Sequence, residues 1–311
     1  MSSRRDFFKK LGMGGLFLGL GGYSLPTQAA KNKLTKITLL HTNDMHSHID
    51  PFPETDPKHP GLGGFARLNA LVKKIRAEEE HTLLLDCGDI YQGTPYFNFY
   101  NGEVELKLMS KMGYDAGTIG NHEFDNGLVG ISSQMKHMTF PFINSNYDFT
   151  GTVLEGTVQP YKIFNKGNVK IGIFGLGVEL EGLVSSKNCE GVEYIDPIFM
   201  AEKMVKILKE KEHCDLVVCL SHIGYESNTG GMCDMKLAKE TSGIDIILGG
   251  HSHTLLETAA RVRNLEGKEV VINQVGWAGI ALGRIDFYID KEEGTKLASS
   301  TLHSVDKRFD A

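Results

Sequence analysis

The sequence predicts an α/β protein, because short apolar runs of strand length alternate with segments of helical periodicity. The segments 64–80 and 197–212 have apolar residues at spacings of three and four with charges between them, which indicates amphipathic helices. Five apolar runs end on Asp, Asn or His, and they lie in residues 37–48, 81–89, 116–125, 215–224 and 244–253. Ligands of open α/β sheets bind at the carboxyl ends of strands, so these polar strand ends predict one shared site.

The remaining elements follow in chain order. The Pro-rich loop 49–64 comes directly after the first polar strand end, and we expect it to border the site. Residues 158–177 predict two strands around an Asn-Lys-Gly-Asn turn at 165–168. The last predicted strand is 282–290, after which we expect a short charged tail and no further domain.

Composition places the chain among ordinary globular proteins, with 311 residues, 41% hydrophobic and 23% charged. The net charge of −6, with no dense Lys/Arg stripe after the N-terminus, argues against nucleic acid polymers as partners. The five cysteines include no Cys-X-X-Cys pair. The one candidate disulfide is between Cys189 and Cys233.

The N-terminal segment predicts an export signal over residues 1–30, which leaves 31–311 as the mature domain. Its start, Ser-Arg-Arg-Asp-Phe-Phe-Lys at residues 3–9, resembles a twin-arginine signal, which addresses folded proteins for export to the periplasm or beyond. The Gly-rich run 11–25 is too short and too weakly apolar for a transmembrane anchor, so we expect no stable membrane anchor.

Side chains of metal-ligand type follow the five strands: Asp44, His46, Asp89, Asn121, His222, His251 and His253. Asp44 and His46 are two residues apart, so they point to the same side of an extended chain, and His251 and His253 share that spacing. Asp89 could bridge two cations, and seven ligands suit two metal ions rather than one. Mixed imidazole and carboxylate ligands favour Zn, Mn, Fe, Co or Ni over Ca or Mg.

Each element taken singly has a simpler interpretation. Asp44 and His46 could form a polar loop, His222 could be a hydrogen-bonded structural histidine, and residues 117–127 could be a turn. The set as a whole favours a two-metal site, which activates water and clamps a phosphoryl oxygen.

Five ordered motifs carry a family resemblance: HTNDMHSH (41–48), DCGDIYQGTP (86–95), GYDAGTIGNHEFDNG (113–127), LSHIGYE (220–226) and GGHSHT (249–254). Together they resemble the metallophosphatase domain of the 5′-nucleotidase family, within the calcineurin-like phosphoesterases, over residues 34–290. The resemblance implies a four-layer αββα sandwich of two mixed β-sheets flanked by helices, with a dimetal site at the strand ends. It further implies two ligand sets, Asp44, His46, Asp89 and His253 for one ion, and Asp89, Asn121, His222 and His251 for the other.

The resemblance also assigns the residues beside the metals. It implies that His122 faces the scissile phosphate, that Asp125 orients His122, and that Asn121 balances charge on the substrate. Asp125 has an alternative interpretation as a helix N-cap.

Four neighbouring residues are expected to serve the structure. We expect His41 and His48 to pack around the site, Asp86 to be structural and Trp277 to pack in the core or at the rim of the cleft.

We therefore expect an exported dimetal phosphoesterase in which a metal-bridging hydroxide attacks phosphate monoesters, above all 5′-nucleotides. The alternatives are a 2′,3′-cyclic nucleotide phosphodiesterase, a sulfohydrolase of the same fold, and a non-catalytic metal-binding protein. Two-domain members of the resembling family grip the nucleotide with a C-terminal domain, which we expect this chain to lack. Base recognition would then fall to the loops 49–64 and 225–243 or to a separately encoded nucleotide-binding domain.

Overall fold

The computed structural model of the protein describes residues 34–292 and 294–310. The predicted export signal, residues 1–30, lies outside the described residues. Among the described residues, none of the helices has both the length and the apolar character that a membrane crossing requires.

The described residues form thirteen strands: β1 (Leu34–Thr42), β2 (Thr82–Asp86), β3 (Ala116–Gly117), β4 (Tyr147–Asp148), β5 (Tyr161–Lys166), β6 (Val169–Gly177), β7 (Glu193–Tyr194), β8 (Leu216–His222), β9 (Ile246–Leu248), β10 (Ala260–Arg263), β11 (Glu269–Asn273), β12 (Ala281–Asp290) and β13 (Thr295–Ser304). The α-helices among them are α1 (Phe65–Glu78), α2 (Pro95–Tyr100), α3 (Glu103–Met112), α4 (Gly127–Gln134), α5 (Pro197–Lys206) and α6 (Asp234–Glu240).

Two mixed sheets carry the fold. The first has the order β13-β12-β1-β2-β3, in which β1, β2 and β3 are parallel and β12 and β13 are antiparallel additions. The second has the order β10-β11-β9-β8-β6-β5, with β11, β9, β8 and β6 parallel. Strands β4 and β7 form a separate two-stranded sheet.

The two sheets pack face to face, and helices cover their outer faces. Side chains from β1 and β2, such as Leu39 and Leu85, share an apolar cluster with Ile173 and Val218 of the second sheet. Helices α1 and α3 pack against the outer face of the first sheet. Helices α5 and α6 pack against the outer face of the second. The predicted four-layer αββα sandwich is therefore confirmed.

The predicted helices arise from their apolar faces and caps. Helix α1 buries Phe65, Leu68 and Ile75 on one side, as the three and four spacing predicts. Helix α5 begins at an N-cap, where the Asp196 carboxylate accepts a hydrogen bond from the Phe199 backbone N–H at 2.8 Å. It continues as one π-helical turn over Ile207–Lys211.

The hairpin prediction for 158–177 is confirmed, since β5 and β6 pair antiparallel around Gly167 and Asn168. Gly167 has a φ of +57°, which a two-residue hairpin turn requires. The prediction that β12 is the last strand is wrong, because β13 pairs with β12 over its full ten residues. Its segment is mostly polar and forms the edge of the sheet, so it lacks the apolar run by which the other strands were identified. All five cysteines are free, so Cys189 and Cys233 are not bonded.

Candidate metal centre

The candidate metal centre lies where parallel strands of both sheets end. The loop after β1 is tied to the loop after β2, since the Asp44 N–H donates to the Gly88 carbonyl at 2.9 Å and the His46 N–H donates to the Asp89 carbonyl at 3.0 Å. The loop after β9 is tied to both, because the His251 N–H lies 3.0 Å from each oxygen of the Asp44 carboxylate. These bonds join the upper edges of the two sheets at one site.

The first half of the centre consists of Asp44, His46 and His253. His253 Nε2 lies 3.3 Å from Asp44 Oδ1 and 3.0 Å from His46 Nε2. One ligand atom from each residue lies within 4.8 Å of the others. These three donors therefore converge on a space of the size that a single ion occupies.

The second half consists of Asp89, His222 and His251, whose ligand atoms also lie within 4.8 Å of one another. His222 Nε2 is 3.0 Å from Asp89 Oδ2, and Asn121 Oδ1 is 2.9 Å from His251 Nδ1. Asp89 Oδ2 is also 3.8 Å from His46 Nε2, in the first half. Asp89 therefore lies between the two halves, and all seven side chains predicted as ligands come together.

Two of the imidazole rings are held so that Nε2 faces the centre. His222 Nδ1 lies 2.7 Å from the Cys87 carbonyl oxygen, and His46 Nδ1 lies 3.1 Å from the Gln92 carbonyl oxygen. A carbonyl only accepts, so each Nδ1 carries a proton, and in its neutral form each of these two rings presents the Nε2 lone pair to the centre. His222 Nε2 is buried, and its neighbour is Asp89 Oδ2 at 3.0 Å, so these two ligand-type atoms face the same space.

The electrostatics also favour a cation between Asp89 and His222. Burial opposes charge on the His222 ring, but the Asp89 carboxylate outweighs it and raises the pKa of His222 to about 10. For His251, burial and then the neighbouring His222 lower the pKa to about 4, so this ring is neutral near pH 7. The donor set therefore fits divalent ions that prefer imidazole and carboxylate.

Most of these side chains project from unusual backbone. Asp44, His46, Asp89, His251 and His253 have φ values of 50°, 46°, 54°, 74° and 52°. Non-glycine residues in the left-handed region are uncommon and cost roughly 1 kcal/mol or more each. A concentration of them at one edge of the molecule is typical of a functional site that the surrounding fold stabilises.

Glu123, to which the sequence patterns assign no role, organises the loop that carries Asp89. Its Oε2 accepts hydrogen bonds from the backbone N–H groups of Asp89 at 3.0 Å and Gly120 at 2.6 Å. Its Oε1 accepts from those of Ile90 at 2.7 Å and Tyr91 at 3.2 Å. Burial and then the Asp89 carboxylate raise the pKa of Glu123 to about 7. The only signal in the sequence is an acidic residue directly after His122, inside the motif.

His122 lies beside the centre and is partly exposed. Its Nδ1 is 2.9 Å from Asp125 Oδ2, and its backbone N–H donates to Asp89 Oδ1 at 2.8 Å. The hydrogen bond to Asp125 raises the pKa of His122 above its ordinary value and outweighs partial burial. The N-cap alternative for Asp125 is wrong, because Asn126 occupies the cap position of α4 and Asp125 lies within a 3-10 turn, His122–Asn126.

Trp277 contributes more than the predicted packing in the core or at the rim. Its ring is parallel to that of His253, with an interplanar angle of 2° and centroids 5.5 Å apart. The indole N–H donates to His59 Nε2 at 3.3 Å, and the ring also packs edge-on against Phe52 and His48. The loop 49–64 therefore borders the site, as predicted.

His48 and Asp86 have the roles expected of them. His48 packs against Trp277 beside the centre. His41 is fully buried and lies 3.1 Å from the Asn273 amide nitrogen. Asp86 accepts hydrogen bonds from the Thr42 hydroxyl at 2.6 Å and the Gly88 N–H at 3.0 Å, which is a structural role.

Comparison with known proteins identifies the family. The family model for calcineurin-like phosphoesterases matches residues 37–255. The chain belongs to the calcineurin-like phosphoesterase family. Phosphoesterases of this family use a dimetal site, which agrees with the converging ligand-type residues on both sides of Asp89; the ligand-type atoms of His46, Asp89 and His122 also lie within 4.8 Å of one another.

Several phosphoesterases are similar to this one. The snake venom 5′-nucleotidase of Gloydius brevicauda is 33% identical over 285 residues, which cover 85% of this chain and 47% of the relative. The structure of a 5′-nucleotidase precursor from Thermus thermophilus superposes with a TM-score of 0.80 and 32% identity, covering 88% of this chain and 55% of that one. The calcineurin-like phosphoesterase YfkN from Bacillus subtilis superposes with a TM-score of 0.73 and 28% identity, covering 89% and 93%. The chain thus spans about half the length of the two nucleotidases.

Proposed function

We propose that the protein is an exported, dimetal-dependent phosphoesterase that hydrolyses phosphate monoesters, with 5′-nucleotides as the preferred substrates. The observation that carries the proposal is the position of Asp89 between two groups of ligand-type residues, with the His122–Asp125 pair beside them. Relatives named 5′-nucleotidase support the nucleotide as substrate.

The seven ligand-type residues divide naturally into two sets around Asp89. In the proposal, Asp44, His46, Asp89 and His253 hold one ion, and Asp89, Asn121, His222 and His251 hold the other. Manganese, zinc, iron, cobalt and nickel all suit such ligands. When bound, two such ions activate water for attack on phosphorus and neutralise charge on the phosphoryl oxygens.

The residues around the ligands have separate roles in the proposed reaction. Asn121 helps to bind the phosphoryl group at the same edge. His122 donates a hydrogen bond from Nδ1–H to Asp125. The charged ring therefore carries its second proton on Nε2, from which it can protonate the departing alkoxide. The raised pKa of His122 keeps more of the ring protonated near neutral pH, as a general acid requires.

Hydrolysis by the purified chain tests the proposal. Loaded with Mn²⁺, the protein should release phosphate from AMP and p-nitrophenyl phosphate. Asp89→Asn should lose most of this activity, because a neutral amide would hold divalent cations less strongly than the Asp89 carboxylate. Circular dichroism and metal analysis of the variant would confirm that it folds. If the metal-loaded parent releases no phosphate from either substrate, the protein is a metal-binding protein without this activity.

We further propose that residues 1–30 direct export by the twin-arginine route. Support comes from the Arg4-Arg5 pair before a weakly apolar, Gly-rich run. Replacing both arginines with lysine should retain the precursor in the cytoplasm, folded and metal-loaded. Undiminished export of that variant would indicate the general secretory route instead.

A further inference from the structure

We infer that a cleft beside the candidate metal centre binds the nucleobase of the substrate. The cleft is formed by the loop after β1 and by helix α2, and its lining includes His48, Asp50, Phe52, Tyr96, Phe99 and Tyr100. We call it the aromatic cleft. The inference rests on the proposed function. It specifies the surface of this chain that recognises the nucleoside, which is the leaving group when the phosphate ester is hydrolysed.

The aromatic cleft has the size and lining of a small-molecule site. Its volume is about 520 Å³, within the range of roughly 300–1,000 Å³ that is usual for such sites. Phe99 is 77% exposed and Tyr100 is 50% exposed, although both are large aromatic side chains. Adjacent exposed aromatic rings at the rim of a cleft indicate a binding surface, since they gain nothing by facing water.

The cleft is connected to the metal centre through a continuous series of rings. His48, in the wall of the cleft, lies 5.1 Å from the Trp277 ring, and Trp277 stacks on His253 at 5.5 Å. The two walls are also joined by a hydrogen bond, in which the Thr94 hydroxyl donates to the Ser47 carbonyl at 2.7 Å. A substrate with its phosphate at the metal centre therefore has an aromatic surface on one side of its leaving group.

The chemistry of the cleft fits a planar aromatic base. Aromatic side chains offer faces on which a base can stack, and such stacking tolerates any base because each one has a π-face. The polar pair in the wall is Tyr96 and Asp50, with the Tyr96 hydroxyl 2.7 Å from the Asp50 carboxylate. The carboxylate can accept a hydrogen bond from an exocyclic amine, which would favour adenine, cytosine or guanine over uracil.

The experiment compares two exposed phenylalanines. Phe99→Ala removes a ring from the aromatic cleft, and Phe199→Ala removes a ring that is 58% exposed on α5, in the helical layer outside the second sheet. Both variants should fold, since neither side chain is buried. The specificity constant, kcat/KM, is measured for AMP and for ribose 5-phosphate, which has no base.

Phe99→Ala should lower kcat/KM for AMP about tenfold, mainly through KM, as the loss of one stacking partner predicts. It should leave kcat/KM for ribose 5-phosphate unchanged, and Phe199→Ala should alter neither. An equal loss on both substrates, or none on AMP, would overturn the inference and place base recognition elsewhere, for example on a separate nucleotide-binding domain.

Adenosine separates this inference from the proposed function, because it binds without being hydrolysed. Trp277, the single tryptophan of the chain, lies one ring from the cleft and should report adenosine binding by its fluorescence. Phe99→Ala should weaken that binding about tenfold and Phe199→Ala should not. Adenosine binding without any hydrolysis would refute the proposed function and support the cleft. Hydrolysis without adenosine binding would refute the cleft alone.

Discussion

Glu123 offers a sharp test of how the metal centre is built, because its carboxylate accepts hydrogen bonds from the backbone N–H groups of Asp89, Ile90, Tyr91 and Gly120. In Glu123→Gln the side chain keeps one acceptor oxygen, while its amide nitrogen can only donate. Whichever way the amide is turned, two buried backbone N–H groups lose their acceptor. Each unsatisfied buried group costs about 1–3 kcal/mol, so the variant should lose roughly 2–6 kcal/mol of unfolding free energy.

Glu105 provides the matched control, since it is equally buried in the same half of the molecule. Its Oε1 accepts a hydrogen bond from the Ser47 hydroxyl, and its Oε2 has no partner among the described residues. Glu105→Gln can therefore keep its one hydrogen bond, and we expect a smaller loss. Urea unfolding of the metal-free parent and of both variants gives the comparison. Equal losses in the two variants, or a loss below about 1 kcal/mol for Glu123→Gln, would refute the reasoning.

Three further predictions concern single side chains. His122→Ala should keep its metal but lose about 10²- to 10⁴-fold in rate on alkyl phosphates. The loss should be far smaller on p-nitrophenyl phosphate, because its leaving group needs little protonation. Equal losses on the two substrates would mean that His122 acts only on charge and position. Trp277→Leu should bind metal about tenfold more weakly than Trp277→Phe, as measured by competition with a chelating dye, because only Phe keeps a ring against His253. Burial lowers the pKa of His41 to about 3 from 6.5. Below pH 6.5 the unfolded chain therefore takes up a proton that the folded chain excludes. The free energy of unfolding should then decrease as the pH is lowered, by up to about 1.4 kcal/mol per pH unit. His41→Asn should remove that share of the slope in urea unfolding, and parallel curves for parent and variant would contradict the assignment.

The ligand-type residues at the strand ends could be predicted, because each of them follows an apolar run closely in the sequence. Asp44 and His46 follow β1 within four residues, and His251 and His253 follow β9 within five. Parallel strands bring such ends to one edge, so the local pattern was sufficient to predict the seven-residue cluster. The division of the cluster around Asp89 came from the family resemblance, and the distances agree with it.

Features that depend on long-range contacts could not be predicted. Trp277 reaches His253 because its loop is tied to the first strand end, where the Ala278 N–H donates to the Asp44 carbonyl at 2.7 Å and the Asn43 amide donates to the Gly276 carbonyl at 2.6 Å. Glu123 acts on residues more than thirty positions earlier in the chain. Neither contact leaves a periodic signal in the sequence, and strand β13 is likewise held by pairing with β12 rather than by an apolar run.

Activity measured against the number of bound metal ions tests the central claim most directly. Metal-free protein, verified by elemental analysis, is titrated with Mn²⁺ while hydrolysis of AMP and bound metal are followed together. If two ions act together around Asp89, the metal-free protein should be inactive, binding should saturate at two ions per chain, and activity should reach its maximum only as the second ion binds. Full activity in the metal-free protein, or at a single ion per chain, would contradict the dimetal mechanism.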